Sequence, residues 1–397
     1  MSFLSSPQFT DSVLAHNQFG LSLLQLLTQN AGSDTVFFSP LSVAAALALA
    51  TAGAAGSTQT ELATAIFGPG AVAADAEEAL SAHLQKLTTA PDDGPVVLSV
   101  ASSLWADQRF ELAPAFVERA LALYQAKASV LDFETPEAAA TINAWTSEQT
   151  GGRIPVIVSP EELAGPPLAA AVLLSTVYFR GKWANEFRPA NTQPGLFLQA
   201  DGTVQKVPFM RQISDDFGYL AGDGWQAVAM PYAFSKHSFS MLVFVPDAGD
   251  GLPAFLATLD APRWASWHQE LYLRTEPVEV DLTLPRFQLQ WGANLVPTLK
   301  NMGLATAFTP GADYEPMGFK AEKGGGMLTS VLHQAFLAVD EEGTEAAAAT
   351  AVLAGEGCGA RAQQRRVEVR VDSPFVCAIV DNRSGAILFA GAIGQLA

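Results

Sequence analysis

Residues 341–366 constrain the fold more than any other part of this 397-residue chain. The segment begins Glu341-Glu342-Gly343-Thr344-Glu345, continues through Ala346, Ala347, Ala348 and Ala349 to Thr350, and passes Gly355, Gly357, Cys358 and Gly359 before Arg361. It lies between two strand-like runs, 331–339 and 367–371, and is too long for an ordinary connection. Its alanines suit a helix, but it also has the parity of a strand. Positions 344, 346, 348, 350, 352 and 354 are Thr, Ala, Ala, Thr, Val and Ala, while Glu345 falls on the opposite parity. Side chains alternate across a strand, so one face would be small, nearly apolar and fit to be buried in a sheet. A long loop built of residues suited to a sheet interior is a local contradiction, and such contradictions mark function.

The surrounding chain places helices first and strands later. Residues 11–30 predict a helix, with Phe19, Leu23 and Leu27 on one face and Gly32 after its end. Ser39-Pro40 opens a second helix as cap and first turn. Thr58-Gln59-Thr60-Glu61 has the form of a capping box for a third. Further helices are expected over 76–88, 114–124 and 138–149. Strands are expected over 96–105, 207–210, 226–231, 238–245, 278–284 and 331–339. The run 169–179 is almost continuously apolar, which implies a strand buried on both faces. Residues 375–380 and 386–389 form a pair joined by a turn at 381–385. No repeat or linker divides the chain, so an α+β fold with one intertwined core over residues 1–397 is expected.

Composition narrows the function. Hydrophobic residues make up 49 % of the chain and charged ones 16 %, which supplies a large core. With 22 Lys plus Arg against 40 Asp plus Glu, the formal charge is −18, which argues against a nucleic-acid or anionic-membrane surface. The most apolar stretch, 41–56, is mostly Ala and too short to span a bilayer. Cys358 and Cys377 make no disulfide scaffold. The start, Met1 to Ser6, lacks a basic and then an apolar segment, so a cytoplasmic protein or an already trimmed secreted one is expected. There is no Gly-x-Ser-x-Gly, no His-Glu-x-x-His and no phosphate-binding loop. His16, His83, His237, His268 and His333 have no metal-ligand spacing. Neither a conventional active site nor a cofactor is expected.

Glu341-Glu342-Gly343-Thr344-Glu345-Ala346-Ala347-Ala348 resembles the hinge of the reactive-centre loop of serpins. Other matches follow in the family's order. They include Phe37-Phe38-Ser39-Pro40-Leu41-Ser42, Asn143-Ala144-Trp145, the run from Val177 to Trp183, Val207-Pro208-Phe209-Met210 and Leu284-Pro285-Arg286-Phe287. His333 precedes the hinge, and Pro374-Phe375 and Leu388-Phe389-Ala390-Gly391 close the series. The resemblance spans residues 10–395, and the ordered set is specific where single motifs are weak. The alanine- and glycine-rich composition is compatible with a prokaryotic member.

That resemblance implies three β-sheets, about nine helices, an exposed loop and a metastable native state. It implies a suicide inhibitor of serine proteases and not an enzyme. A protease attacks the loop, an acyl-enzyme forms, and the severed loop enters sheet A as a new strand. Gly343 gives backbone freedom, Thr344 is the first side chain to enter, and nothing inward-facing from Gly343 to Val352 resists burial. Ser39, Ser42 and His333 match the family's shutter, and Trp183 matches its breach tryptophan. Ser175 stands where many members carry asparagine, so an altered shutter network is expected. Taken alone, His333 also suits a satisfied core histidine.

Counting from the hinge, the resemblance puts the scissile bond at Gly357-Cys358, suited to an elastase- or subtilisin-like enzyme. Counting back from Pro374 moves it about six residues on, and Arg361, between the two, would suit a trypsin-like protease. Arg361, Arg365, Arg366 and Arg370 form either a solvated basic tail or a docking surface for an acidic protease. The acidic 75–86 region, with Asp75, Glu77 and Glu78 against Lys86, argues against heparin binding, and a monomer is expected. The alternatives are a non-inhibitory serpin that binds a ligand or acts as a chaperone, and an acidic hydrolase.

Overall fold

The computed structural model describes residues 7, 9–32, 34–88, 94–165, 169–234, 238–247, 251–273, 278–320, 326–344 and 365–396. Ten α-helices and three sheets occur among the described residues, an α+β architecture.

Sheet A has the order β11-β12-β13-β4-β2-β3. Its strands are β2 (Val96–Asp107), β3 (Lys127–Leu131), β4 (Ala171–Lys182), β11 (Phe287–Asn294), β12 (Leu328–Val339) and the two-residue β13 (Gly343–Thr344). Sheet B runs β1-β16-β15-β9-β8-β7. It comprises β1 (Val36–Phe38), β7 (Gly218–Gly222), β8 (Trp225–Pro231), β9 (Phe239–Pro246), β15 (Phe375–Asp381) and β16 (Ile387–Ile393). The four-stranded sheet C runs β14-β10-β6-β5, from β5 (Gln193–Leu198), β6 (Val204–Ser214), β10 (Val278–Pro285) and β14 (Arg365–Arg370).

Helix α1 (Asp11–Ala31) is capped by Thr10, whose side chain accepts the Val13 N–H. Helix α2 (Pro40–Ala52) buries every residue from Pro40 to Thr51. Its alanines let neighbours approach from all sides; a Cβ on Gly20 of α1 would lie 2.5 Å from the Pro40 ring. Helix α4 (Ala73–Thr88) packs beside β2 and α5 (Pro114–Tyr124) beside β3, and α6 (Pro136–Gln149) with α7 (Pro160–Ala164) encloses a second apolar cluster around Trp105 and Phe133. The main core spans elements from α1 to β16.

Helix α3 (Gly56–Phe67) departs from expectation. It starts at Gly56, and its cap residue Ala55 makes no side-chain bond. Thr58 instead accepts the Asp313 N–H, and Glu61 accepts those of Thr306 and Ala307. The capping-box residues pin a distant turn, because backbone donors there lack other partners. Four further helices, α7, α8 (Gly251–Leu256), α9 (Ala261–Leu273) and α10 (Val296–Asn301), and the strands β1, β3, β5, β7 and β11 were not expected from the sequence.

Candidate functional site: the interior and upper gap of sheet A

Four of the sequence-selected residues meet at the middle of sheet A. Ser175 on β4 lies opposite His333 on the parallel strand β12. Ser39 caps α2 beneath them, accepting the Ser42 N–H at 3.1 Å. The Ser39 N–H donates to His333 Nε2 at 3.1 Å. That contact requires a lone pair on Nε2, so the ring proton sits on Nδ1, 3.1 Å from the Ser175 hydroxyl. Ser175 then donates its O–H to Ser42 Oγ at 2.6 Å, and Ser42 donates to the Thr176 carbonyl at 3.3 Å. His333 is buried, and desolvation pushes its pKa down to about 3, so the ring is neutral at ordinary pH. Serine thus closes the network with one hydroxyl used in both directions, and none of these side-chain atoms is left unpaired. His333 is a satisfied core histidine and a strand-to-strand tie at once.

At the upper end of the sheet, β4 and β12 part. They pair directly from Leu328 to Ala335, and above that β13 fills the gap. Gly343 lies opposite Lys182, and Thr344 opposite both Gly181 on β4 and Val339 on β12, all antiparallel. This corrects the expectation of a hinge that enters only after cleavage: two of its residues, Gly343 and Thr344, already sit in the sheet. Room is made by the absence of a side chain, since a Cβ on Gly343 would lie 2.1 Å from the Gly181 oxygen.

Thr344 is wholly buried, and its hydroxyl meets that of Tyr232 at 2.7 Å. Burial raises the Tyr232 phenol well above its ordinary pKa, which keeps it a neutral hydrogen-bonding partner. Tyr232 stacks on Trp183 with centroids 4.7 Å apart. Trp183 Nε1 donates to the Asp340 carbonyl, and its backbone N–H to that of Glu342, both at 2.9 Å. The Asp340 carboxylate accepts the N–H groups of Glu342 and Gly343, while burial holds its pKa above the usual range. Glu341 accepts from Thr192 at 2.7 Å and lies 3.8 Å from Arg286; Glu342 keeps one buried oxygen without a partner.

Past the loop, β14 joins β10 in parallel from Arg365 to Arg370. Asp281 takes a bidentate bond from Arg211, at 2.8 and 2.7 Å, and a third from Arg366 at 2.5 Å. Arg211 chiefly, with Arg366, holds its carboxyl below the usual range. Arg370 pairs with Asp372 at 2.6 Å. The basic residues 365, 366 and 370 are exposed residues of a strand, and Arg366 and Arg370 are engaged with carboxylates. Glu345 to Thr350, Gly357, Cys358 and Arg361 lie outside the described residues.

Sequence reasoning missed Tyr232, Asp340 and Asp281, whose roles come from neighbours far along the chain. It treated Glu77 only as surface charge. Glu77 is buried, with Arg119 at 2.6 Å, and desolvation raises its pKa. Cys377 is a free, buried thiol, pushed up to about 12. Among the described residues no group of three or more His, Cys, Asp or Glu is placed to hold a metal, and no helix is long and apolar enough to cross a membrane.

The comparisons bear on the whole chain. A family model described as Serpin (serine protease inhibitor) matches residues 14–395. Serpin-ZXA of Oryza sativa subsp. japonica is 32 % identical over 394 residues, covering 96 % of each chain. Serpin-Z3 of Arabidopsis thaliana is 32 % identical over 378 residues, covering 92 % of each. Among solved structures, the native thermophilic serpin tengpin superposes with TM-score 0.86 at 25 % identity, over 99 % of this chain and 96 % of that one. Native AtSerpin1 of Arabidopsis, described as in a stressed conformation, gives 0.83 at 25 %, over 97 % and 98 %. With a seated hinge, a hydrogen-bonded tie across sheet A and these full-length matches, the chain belongs to the serpin family of serine protease inhibitors.

Proposed function

We propose that this protein is a covalent-trapping inhibitor of serine proteases, acting as one serpin domain in a metastable native state. The observation that carries the reading is the seating of Gly343 and Thr344 between β4 and β12. Paired residue numbers add to 525 along β13 and β4, and to 683 along β13 and β12. Carried on at that register, Ala354 reaches Ala171, the first residue of β4, and residue 355 reaches Leu328, the first of β12. Both neighbours run out at the same level, so the sheet accommodates about a dozen loop residues, Gly343 to Ala354. A bond at Gly357-Cys358 lies just beyond, which favours the count from the hinge; Arg361 would leave a longer uninserted tail. The same register brings Ala346, Ala348, Thr350 and Val352 to the face of Thr344, all small or apolar enough for burial.

Register also assigns a task to Thr350. It arrives between Ser175 and His333, whose 3.1 Å bond must open to admit the strand. A hydroxyl delivered at that point replaces the bond that insertion breaks.

In the proposed sequence, the protease serine attacks the Gly357 carbonyl carbon. The serine proton passes through the protease base to the Cys358 nitrogen, which leaves as an amine. The remaining ester tethers the protease to a segment that zips into sheet A. A small residue at the cut suits an elastase- or subtilisin-like enzyme, and Arg361 a trypsin-like one.

Incubation with one protease of each kind, followed by denaturing gels and mass analysis of the released fragment, tests this. A stable band at the summed mass, with a fragment beginning at Cys358, is expected. Clean loop cleavage without that band, for every protease, would place the protein with non-inhibitory binding or chaperone serpins.

A further inference from the structure

A cleft of about 290 Å³ opens between α1 and α4, sharing no lining residue with the hinge. Val13, Leu41 and Leu80 form apolar wall, and Ala79 and Ala82 stand exposed at the rim. Two histidines interrupt this surface, one from each helix. The turn before β16 fixes His16. Asn17 donates to the Gly385 carbonyl at 2.9 Å and accepts the Ile387 N–H at 3.0 Å, and His16 Nε2 lies 3.4 Å from the Ile387 carbonyl. That carbonyl needs a donor, so the ring proton sits on Nε2 and Nδ1 carries a lone pair. His16 is 6 % exposed, and its Nδ1 is buried without a partner; the buried Nε2 of His83 also has none. Desolvation holds His16 down to about 4 and lowers His83 as well, so both rings are neutral at ordinary pH.

Buried polar atoms in native proteins are rarely left unpaired. Two such nitrogens beside one apolar cleft specify what would complement them. Lys86 also lines the cleft, but an anion drawn to it would meet the His16 Nδ1 lone pair. A purely apolar molecule would leave Nδ1 of His16, the more deeply buried of the two rings, unpaired. We propose that the α1–α4 cleft binds a small, neutral aromatic molecule carrying one O–H or N–H donor, which His16 Nδ1 accepts while Val13, Leu41 and Leu80 cover the ring. The volume suits a fused pair of rings.

Calorimetric titration of the full chain with 2-naphthol, 2-methoxynaphthalene and 2-naphthoate distinguishes the possibilities, since the three share a ring system and differ in the polar group. 2-Naphthol should bind about tenfold more tightly than the methyl ether, the weight of one buried hydrogen bond, and more tightly than the carboxylate. His16→Phe should abolish the preference for the hydroxyl. Ala79→Trp, at an exposed position that leaves the core intact, should weaken 2-naphthol binding at least about tenfold by filling the cleft. Equal affinity for naphthol and its ether, tighter binding of the carboxylate, no binding of any probe, or full binding by Ala79→Trp would each overturn the proposal.

Discussion

Thr344→Arg, set beside Thr344→Val, isolates what the seated hinge contributes to trapping. Thr344 has no exposed surface, and its one polar atom meets the Tyr232 hydroxyl at 2.7 Å. Valine keeps the shape but leaves the Tyr232 hydroxyl unpaired, about 1–3 kcal/mol. That penalty applies equally before and after insertion, because Thr344 is already in its place. Trapping by the valine variant should therefore stay within about tenfold of the parent. Arginine brings a guanidinium to the same site, where the surrounding groups are a phenol, an aromatic ring and glycine backbone. Burying it without a partner costs several kcal/mol, taken as about 4. The hinge must leave the sheet, and the cost returns as a barrier when the severed loop tries to enter. At about 1.4 kcal/mol per tenfold, insertion slows about a thousandfold, while deacylation proceeds unchanged. The assay is the number of inhibitor molecules consumed per protease molecule silenced, with the covalent band measured in parallel. Arginine should convert the protein to a substrate cleaved to completion. An arginine variant that traps with the parent's stoichiometry would refute the reasoning, as would a valine variant that fails alongside it.

Gly343→Ala sets a Cβ 2.1 Å from the Gly181 oxygen and 2.7 Å from Lys182 Cα, so it should drive β13 out of the gap. Amide exchange at Asp340 and Trp183, held by the Gly343 and Glu342 carbonyls, should accelerate; unchanged protection would disprove the crowding. Ser175→Ala strands the His333 ring N–H, and the urea midpoint should fall by the equivalent of about 1–3 kcal/mol at constant m-value. An unshifted midpoint would mean the tie carries no weight. His16 and His268 are held at about 4 and His333 at about 3, each from an ordinary 6.5. Below pH 6.5 the unfolded chain binds more protons than the folded one, so stability present above that pH is lost as pH falls towards 4. Three such groups give about 4 kcal/mol per pH unit in that window. The thermal midpoint should drop between pH 7 and pH 5, with His333→Gln removing about a third of the slope; a flat profile would contradict the assignment. Asp281→Asn removes the charge that gathers Arg211 and Arg366, and exchange across β14 should rise about tenfold. Unaltered exchange would show that the ladder alone holds the strand.

Interior elements were more legible than most edge elements, β14 excepted, for a physical reason. The apolar run of β4 and the Ser39-Pro40 start of α2 announce themselves because burial on all sides leaves little freedom in residue choice. Strands β3 and β5 lie at sheet edges, mostly half-buried or exposed, so their sequences carry no strict alternation. Helix α9 buries only Ala261, Trp264, His268 and Leu271, a thin stripe that polar neighbours conceal. Among site residues, Ser39, Ser42, Ser175, His333 and Trp183 were found through the family resemblance. Tyr232 and Asp281 carry no local signal, since each matters through a contact more than sixty residues away in the chain. The two-residue strand β13 exists only because β4 and β12 diverge above Ala335, a property of the assembled sheet and not of Gly343-Thr344 itself.

The two ends of the reactive segment are held by unequal means, and that inequality gives direction to its motion. On the C-terminal side, six residues of β14 pair in register with β10, Val369 is buried, and Asp281 gathers two guanidinium groups at the strand's edge. On the N-terminal side, among the described residues, Gly343 pairs with β4 and Thr344 with both β4 and β12. Zipping a strand into a sheet is costliest at its first contact, because that contact closes the loop before further contacts repay the lost entropy. Here that contact exists before any bond is cut. Under the proposed mechanism, cleavage between the anchors would leave the part attached to Thr344 with a template that continues to Ala171 and Leu328. In the proposed insertion, each further pair would bury another small residue, until the strand reaches Ser175 and His333. The hydrogen bond between those side chains is the tie that a strand entering in this proposed way would have to replace, and Thr350 is the residue the extrapolated register would bring there.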